Sequence, residues 1–179
     1  TLKEIQSPVE KDVLLNSLVM GEIAADQLDK AENHIRQISD LQKKAGVLDI
    51  LVLKYVRQLE VEKAEEILKS QTLHPEDQLT LSVRLISGYL KKDNLVQARM
   101  IAGHVFEVSD GANPKQIDRV TIALAALGRG PEAATILQNA MAQPRRDERK
   151  ILEALMLTIP ALCWSDQLDQ AVSMLDIFS

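Results

Sequence analysis

Aromatic residues make up only 3% of this chain: one tryptophan, two tyrosines and two phenylalanines in 179 residues. Sheets lean on aromatic and β-branched side chains, so their scarcity argues against a β architecture. Cysteine occurs once, at Cys163, which excludes an internal disulfide framework and a cysteine-rich zinc site. The three histidines, His34, His74 and His104, never fall three or four residues apart, the spacing that puts two metal ligands on one helix face. No apolar run reaches the length of a membrane span, and the opening Thr1-Leu2-Lys3-Glu4 does not read as a signal peptide. Basic excess is missing too: 26 acidic residues against 21 basic give a net charge of -5. Nucleic-acid-binding domains draw much of their affinity from phosphate neutralisation, so this balance argues against a nucleic-acid partner.

What is abundant is helix-forming. Apolar residues reach 46% of the chain, nearly all of them Leu, Ala, Ile and Val. Leucine and alanine lose little on entering a helix, and the composition predicts an all-α protein. One phrase recurs along the chain: a polar or small turn, an apolar residue, two polar residues, an alanine, then an apolar pair. It reads DQLDKAENHI at 26–35, LEVEKAEEIL at 59–68, DNLVQARMIA at 93–102, GRGPEAATIL at 128–137 and DQLDQAVSML at 166–175. Its alanines, Ala31, Ala64, Ala98, Ala133 and Ala171, are 33, 34, 35 and 38 residues apart. Periods of this length mark stacked helix–turn–helix repeats. Asp26, Asp93, Gly128 and Asp166 sit where one helix turns into the next, and the alanine sits where paired helices approach closely.

Each phrase follows an apolar-periodic segment, near 8–24, 46–58, 75–91, 114–127 and 148–163. Ser7-Pro8-Val9-Glu10 and Asn113-Pro114 carry helix-entry chemistry, and Glu76 and Asp77 suit a helix N-terminus. Pro144 with Arg145 and Arg146 separates the last two units. The short loops predict ten helices in five antiparallel pairs, with units near 8–44, 45–74, 75–111, 112–144 and 145–179 in a single solenoid domain. Pro160 falls inside the last of the first helices and predicts a kink or break there.

On these residues the chain resembles a tetratricopeptide repeat array across 8–178. Tyr55 and Tyr89, 34 residues apart and each nine before its repeat alanine, match the family's first-helix tyrosine. Pro75, Pro114 and Pro144 fall near unit ends, as in the family. The family's Trp and Gly positions hold Leu15, Leu48 and Ser82, and Val19, Val52 and Ile86, so the repeats are degenerate. The resemblance implies a right-handed superhelical stack that binds a peptide or helix of another protein in its concave groove. The stretch LISGYLKKDNLVQAR at 85–99 is also similar to pentatricopeptide repeats, which read RNA one base per unit.

No constellation for catalysis, cofactor or metal emerges from the sequence, so the expectation is a non-enzymatic protein-interaction scaffold or adaptor, cytoplasmic by default, in an assembly, secretion or regulatory system. The alternatives are an RNA-binding repeat and the partner-sensing helical domain of a transcriptional regulator. Matched positions on the first helices single out Asn16, Asp49, Arg57, Arg84, Lys91 and Arg119 as an inner strip, with Met20, Leu53, Val83, Ser87, Asp118 and Ile122 beside them. Arg84 and Arg119 occupy one slot in adjacent units, Arg57 and Lys91 another. Four cations on one strip would receive an acidic segment of a partner, with no small-molecule substrate required. Trp164 is a further candidate anchor. Leu175 and Phe178 on the last helix predict an apolar end at which the chain continues or pairs with another chain.

Overall fold

A computed structural model describes residues 7–109, 113–144 and 146–176. Phe178 and Arg145 lie outside the described residues. Within them the chain forms ten α-helices and no strand: α1 (Pro8–Ala24), α2 (Leu28–Ile35), α3 (Leu41–Arg57), α4 (Val61–Ser70), α5 (Pro75–Lys91), α6 (Leu95–Val108), α7 (Ile117–Ala126), α8 (Gly130–Met141), α9 (Glu148–Trp164) and α10 (Leu168–Asp176). A short 3-10 turn, Pro114–Gln116, leads into α7. The chain divides into two compact units, Thr1–Leu81 and Ser82–Ser179, with the boundary inside α5.

The helix starts follow side-chain chemistry. Ser7 Oγ accepts the Glu10 N–H at 3.5 Å, Asn113 Oδ1 that of Lys115 at 3.0 Å, and Asp147 Oδ1 that of Lys150 at 3.1 Å. Such caps contribute about 1 kcal/mol each. Helix α3 begins at Leu41, five residues before the expected start, because Asp40 accepts the Gln42 and Lys43 N–H groups at 2.9 and 3.0 Å. Buried Asp12 of α1 fixes this entry from the side, accepting the Ser39 and Asp40 N–H groups at 3.0 and 2.8 Å.

The five turns that join the two helices of each hairpin are copies of one motif. Asp26, Leu59, Asp93, Gly128 and Asp166 all have φ between 58° and 82°, the left-handed region. The next residue, Gln27, Glu60, Asn94, Arg129 or Gln167, donates its N–H five residues back, to the carbonyl of Glu22, Tyr55, Tyr89, Leu124 or Leu162, at 2.8–2.9 Å. That bond closes a Schellman cap and satisfies a helix-end carbonyl. Aspartate and glycine tolerate the conformation; Leu59 adopts it at a cost of roughly 1–2 kcal/mol.

The recurrent alanine follows each left-handed residue by five positions, and all five alanines are buried. The core also buries Leu15, Val19, Ile35, Leu48, Leu51 and Val52 in the first unit, and Ile122, Leu124 and Leu137 in the second. Full burial of such a side chain contributes roughly 1.5–3 kcal/mol. In the first unit α1 packs on α2 and α3, and α3 on α4; in the second, α7 packs on α6, α8 and α9, and α10 on α8 and α9. Neighbouring turns are tied: Lys54 Nζ and Gln58 Nε2 reach Asp26 Oδ1 at 3.0 and 3.2 Å. At the other pair Gln167 Nε2 donates to the Ala125 carbonyl at 2.7 Å while its Oε1 accepts the Gly130 N–H at 3.0 Å.

Pro160 does not interrupt α9, which runs unbroken from Glu148 to Trp164. The carbonyl that loses its donor belongs to Met156, an exposed residue.

Candidate partner-binding surfaces

The expected strip does not form one uniform set. Arg57 and Lys91 are the last residues of α3 and α5, two positions before their turns, and both are exposed. Cations there also complement the helix dipole. Arg84 on α5 and Arg119 on α7, each nine residues before its turn, are half-buried and engaged in polar contacts within the protein. Asn16 on α1 and Asp49 on α3 are half-buried, and Asp49 is likewise engaged. Val83 and Ile122, placed on the same strip by register, are buried in the core. Arg57 belongs to the first compact unit, whereas Arg84, Lys91 and Arg119 belong to the second. Arg84 and Lys91 are seven residues apart on one helix, two turns and about 10 Å along one face. Trp164 ends α9 with 40% of its surface exposed.

Two further surfaces escape the sequence register. On the first unit, Asp26, Asp29, Lys30, Tyr55, Glu60 and Lys63 line an open groove of about 350 Å³ across α2, α3 and α4. Tyr55 Oη donates to Glu32 Oε1 at 2.6 Å, and Lys63 Nζ sits 5.8 Å from the Tyr55 ring centre and 2.5 Å from Glu60 Oε2. Burial first, then the hydrogen bond to Glu32 and the charges of Glu32, Asp29 and Glu60, push the Tyr55 hydroxyl well above its ordinary range. The hydrogen bond to Glu60 pushes the Lys63 ammonium up as well. The Asp26 carboxyl at its rim is held below the usual carboxylate range, chiefly by its hydrogen bond with Lys54.

On the second unit, Met141, Arg146, Glu148, Ile151, Leu152 and Leu155 line a mainly apolar pocket of about 230 Å³. Arg146 guards it, donating to Glu148 Oε1 at 3.0 Å and to the Met141 carbonyl at 3.3 Å. The exposed Leu152 was the available clue: it lies four residues before the exposed Met156, on the outer side of α9.

Cys163 is exposed, and His34 is committed to packing, its Nδ1 lying 2.9 Å from a carboxylate oxygen of buried Glu22. Among the described residues no group of three histidine, cysteine, aspartate or glutamate side chains could hold a metal ion. No described helix is long and apolar enough to cross a membrane. Neither known family models nor curated proteins give a match to this chain.

Proposed function

We propose that the chain is a non-enzymatic protein-binding scaffold, a degenerate tetratricopeptide-like array that holds an acidic segment of a partner protein. The observation that carries this reading is the recurrence itself: one hairpin, with the same left-handed turn and the same buried alanine, appears five times. Stacked hairpins present their first helices side by side at fixed spacing, and such arrays serve mainly as extended binding surfaces. Arg57 in the first compact unit and Lys91 in the second are accessible cations at the same slot of their own hairpins, and each is assigned a contact with the partner within its own unit. Arg84 and Arg119, already engaged within the protein, shape the surface beneath.

The test is a screen of the chain against an array of acidic and neutral peptides, followed by titration of the strongest hit. Reversing Arg57→Glu and Lys91→Glu together weakens that peptide at least tenfold, about 1.4 kcal/mol. The melting curve stays in place, because exposed charges contribute little to stability. Failure to select any peptide, together with single-stranded RNA binding that falls steeply with salt, would move the assignment to an RNA-binding repeat.

A further inference from the structure

The second helix of each hairpin turns one side away from its buried alanine, at the third, seventh and tenth residues after the left-handed turn. In the fourth and fifth hairpins these sites hold Pro131, Thr135 and Gln138, and Asp169, Ser173 and Asp176, all exposed. The first two hairpins carry only charged or amide side chains there. The third hairpin breaks the pattern on α6, which lies wholly within the second compact unit. Its three sites are Val96, 82% exposed, Met100, 60% exposed, and Gly103, where an added Cβ meets nothing within 4 Å. Apolar side chains at sites that four sister hairpins keep polar or fit for helix entry mark a contact surface. Hairpins of a stack touch only their neighbours, so a further hairpin at either end would leave this outward side uncovered.

The charges around the patch indicate what covers it. Arg99 and Glu107, both exposed, lie four residues to either side of Gly103. Arg99 has no acidic residue three or four positions away on its own helix. At 3.6 residues per turn, Val96, Met100, Gly103 and Glu107 fall within about 60° of one line, with Arg99 about 40° to its side. The pattern is therefore complementary to itself when one copy is reversed.

We propose that this face of α6 binds the same face of a second copy, the two helices crossing antiparallel at Gly103. That crossing sets Arg99 of each copy against Glu107 of the other, so both charges are met twice, whereas a parallel crossing sets like against like. Glycine at the crossing point admits the axes to the near end of the usual range of about 8–10 Å, where Met100 and Val96 bury against the opposite helix. The contact is isologous and closes at two copies. One helix from each copy makes a small interface, below about 1,200 Å² in total, so association is weak and reversible.

The experiment is sedimentation equilibrium with light scattering on the 179-residue chain from low micromolar to near millimolar concentration. The mean mass rises with concentration, approaches twice that of one chain and stops there. Met100→Glu is monomeric and keeps the circular dichroism and melting point of the parent, since the site is exposed. Arg99→Glu and Glu107→Arg each weaken association at least tenfold, and the two reversals in one chain restore it. Gly103→Leu separates fold from contact: it melts no lower than the parent, because the site is open in the single chain, yet it no longer pairs. Four results overturn the proposal: an unaltered chain that stays monomeric throughout, a mass that grows past that of a dimer, association that survives Met100→Glu, and a double reversal that pairs no better than the single ones.

Discussion

The same chemical change, glycine to alanine, has opposite consequences at three sites of the second unit. Gly103 lies inside α6, and a Cβ added there meets nothing within 4 Å. Alanine at that position removes backbone entropy from the unfolded chain and stabilises by about 0.5–1 kcal/mol. Gly128 also has open space around it, but its φ is +82°. The left-handed strain of roughly 1–2 kcal/mol is offset only partly by the entropic gain of about 0.4–1 kcal/mol, so alanine there is neutral to mildly destabilising. Gly130 opens α8 in close approach to the fifth hairpin. An added Cβ would sit 2.8 Å from Gln167 Oε1, 2.9 Å from Leu162 Cδ2 and 3.1 Å from Gln170 Cβ. Gln167 can swing away only by releasing the Gly130 N–H and the Ala125 carbonyl, and Leu162 is fully buried. Overpacking of this kind costs about 1–3 kcal/mol. Urea unfolding followed by circular dichroism, with hydrogen exchange read within the second unit, ranks the three variants Gly103→Ala, Gly128→Ala and Gly130→Ala from most to least stable. Equal shifts of one sign at Gly103 and Gly130 would refute the packing assigned to the fourth turn.

Other perturbations follow the same logic. Ala98→Glu places a charge in a fully buried site at a helix contact and costs on the order of 3–5 kcal/mol; a melt within a degree or two of the parent would contradict the repeat register. Pro160→Ala restores the missing hydrogen bond to Met156 inside α9 and raises stability by up to about 3 kcal/mol, read as a higher urea midpoint at constant slope. The carboxyls of Asp26, Asp40 and Glu132 are held low, chiefly by Lys54, by the Lys43 backbone N–H and by Arg129 respectively. Because a depressed carboxyl stabilises above its unfolded value and loses that contribution as pH falls through its folded value, stability declines below about pH 4. Asp26→Asn therefore melts below the parent at neutral pH and the gap narrows as pH falls through the lowered carboxyl value of Asp26, whereas a constant gap would deny the Lys54 pairing.

Most of the hairpin logic was legible because its key sites tolerate few residue types. Alanine spacing located the close contacts, and Asp26, Asp93, Gly128 and Asp166 announced left-handed turns through their own conformational preferences. Leu59 holds the same conformation with a side chain that signals nothing of the kind; only its position, five before Ala64, identifies it. The start of α3 at Leu41 is not marked by the apolar periodicity, because Asp40 acts through its carboxylate as a cap well ahead of it. Accessibility was the least legible property. Arg84 and Arg119 share a slot in sequence, yet both bury part of their length and bond within the protein. Leu14 and Leu18 have the same character as Val47 and Leu51, and only the packing of one hairpin on the next separates open from closed.

One hairpin, defined by its left-handed turn, is repeated five times along the chain. Backbone chemical shifts and residual dipolar couplings measured on the isotopically labelled chain report the sign of φ directly. Positive φ is expected at Asp26, Leu59, Asp93, Gly128 and Asp166, with Gln27, Glu60, Asn94 and Arg129 after the first four at negative φ and positive ψ. Negative φ at Leu59 or at any of the three aspartates, or a helix continuing through one of these positions, would contradict it.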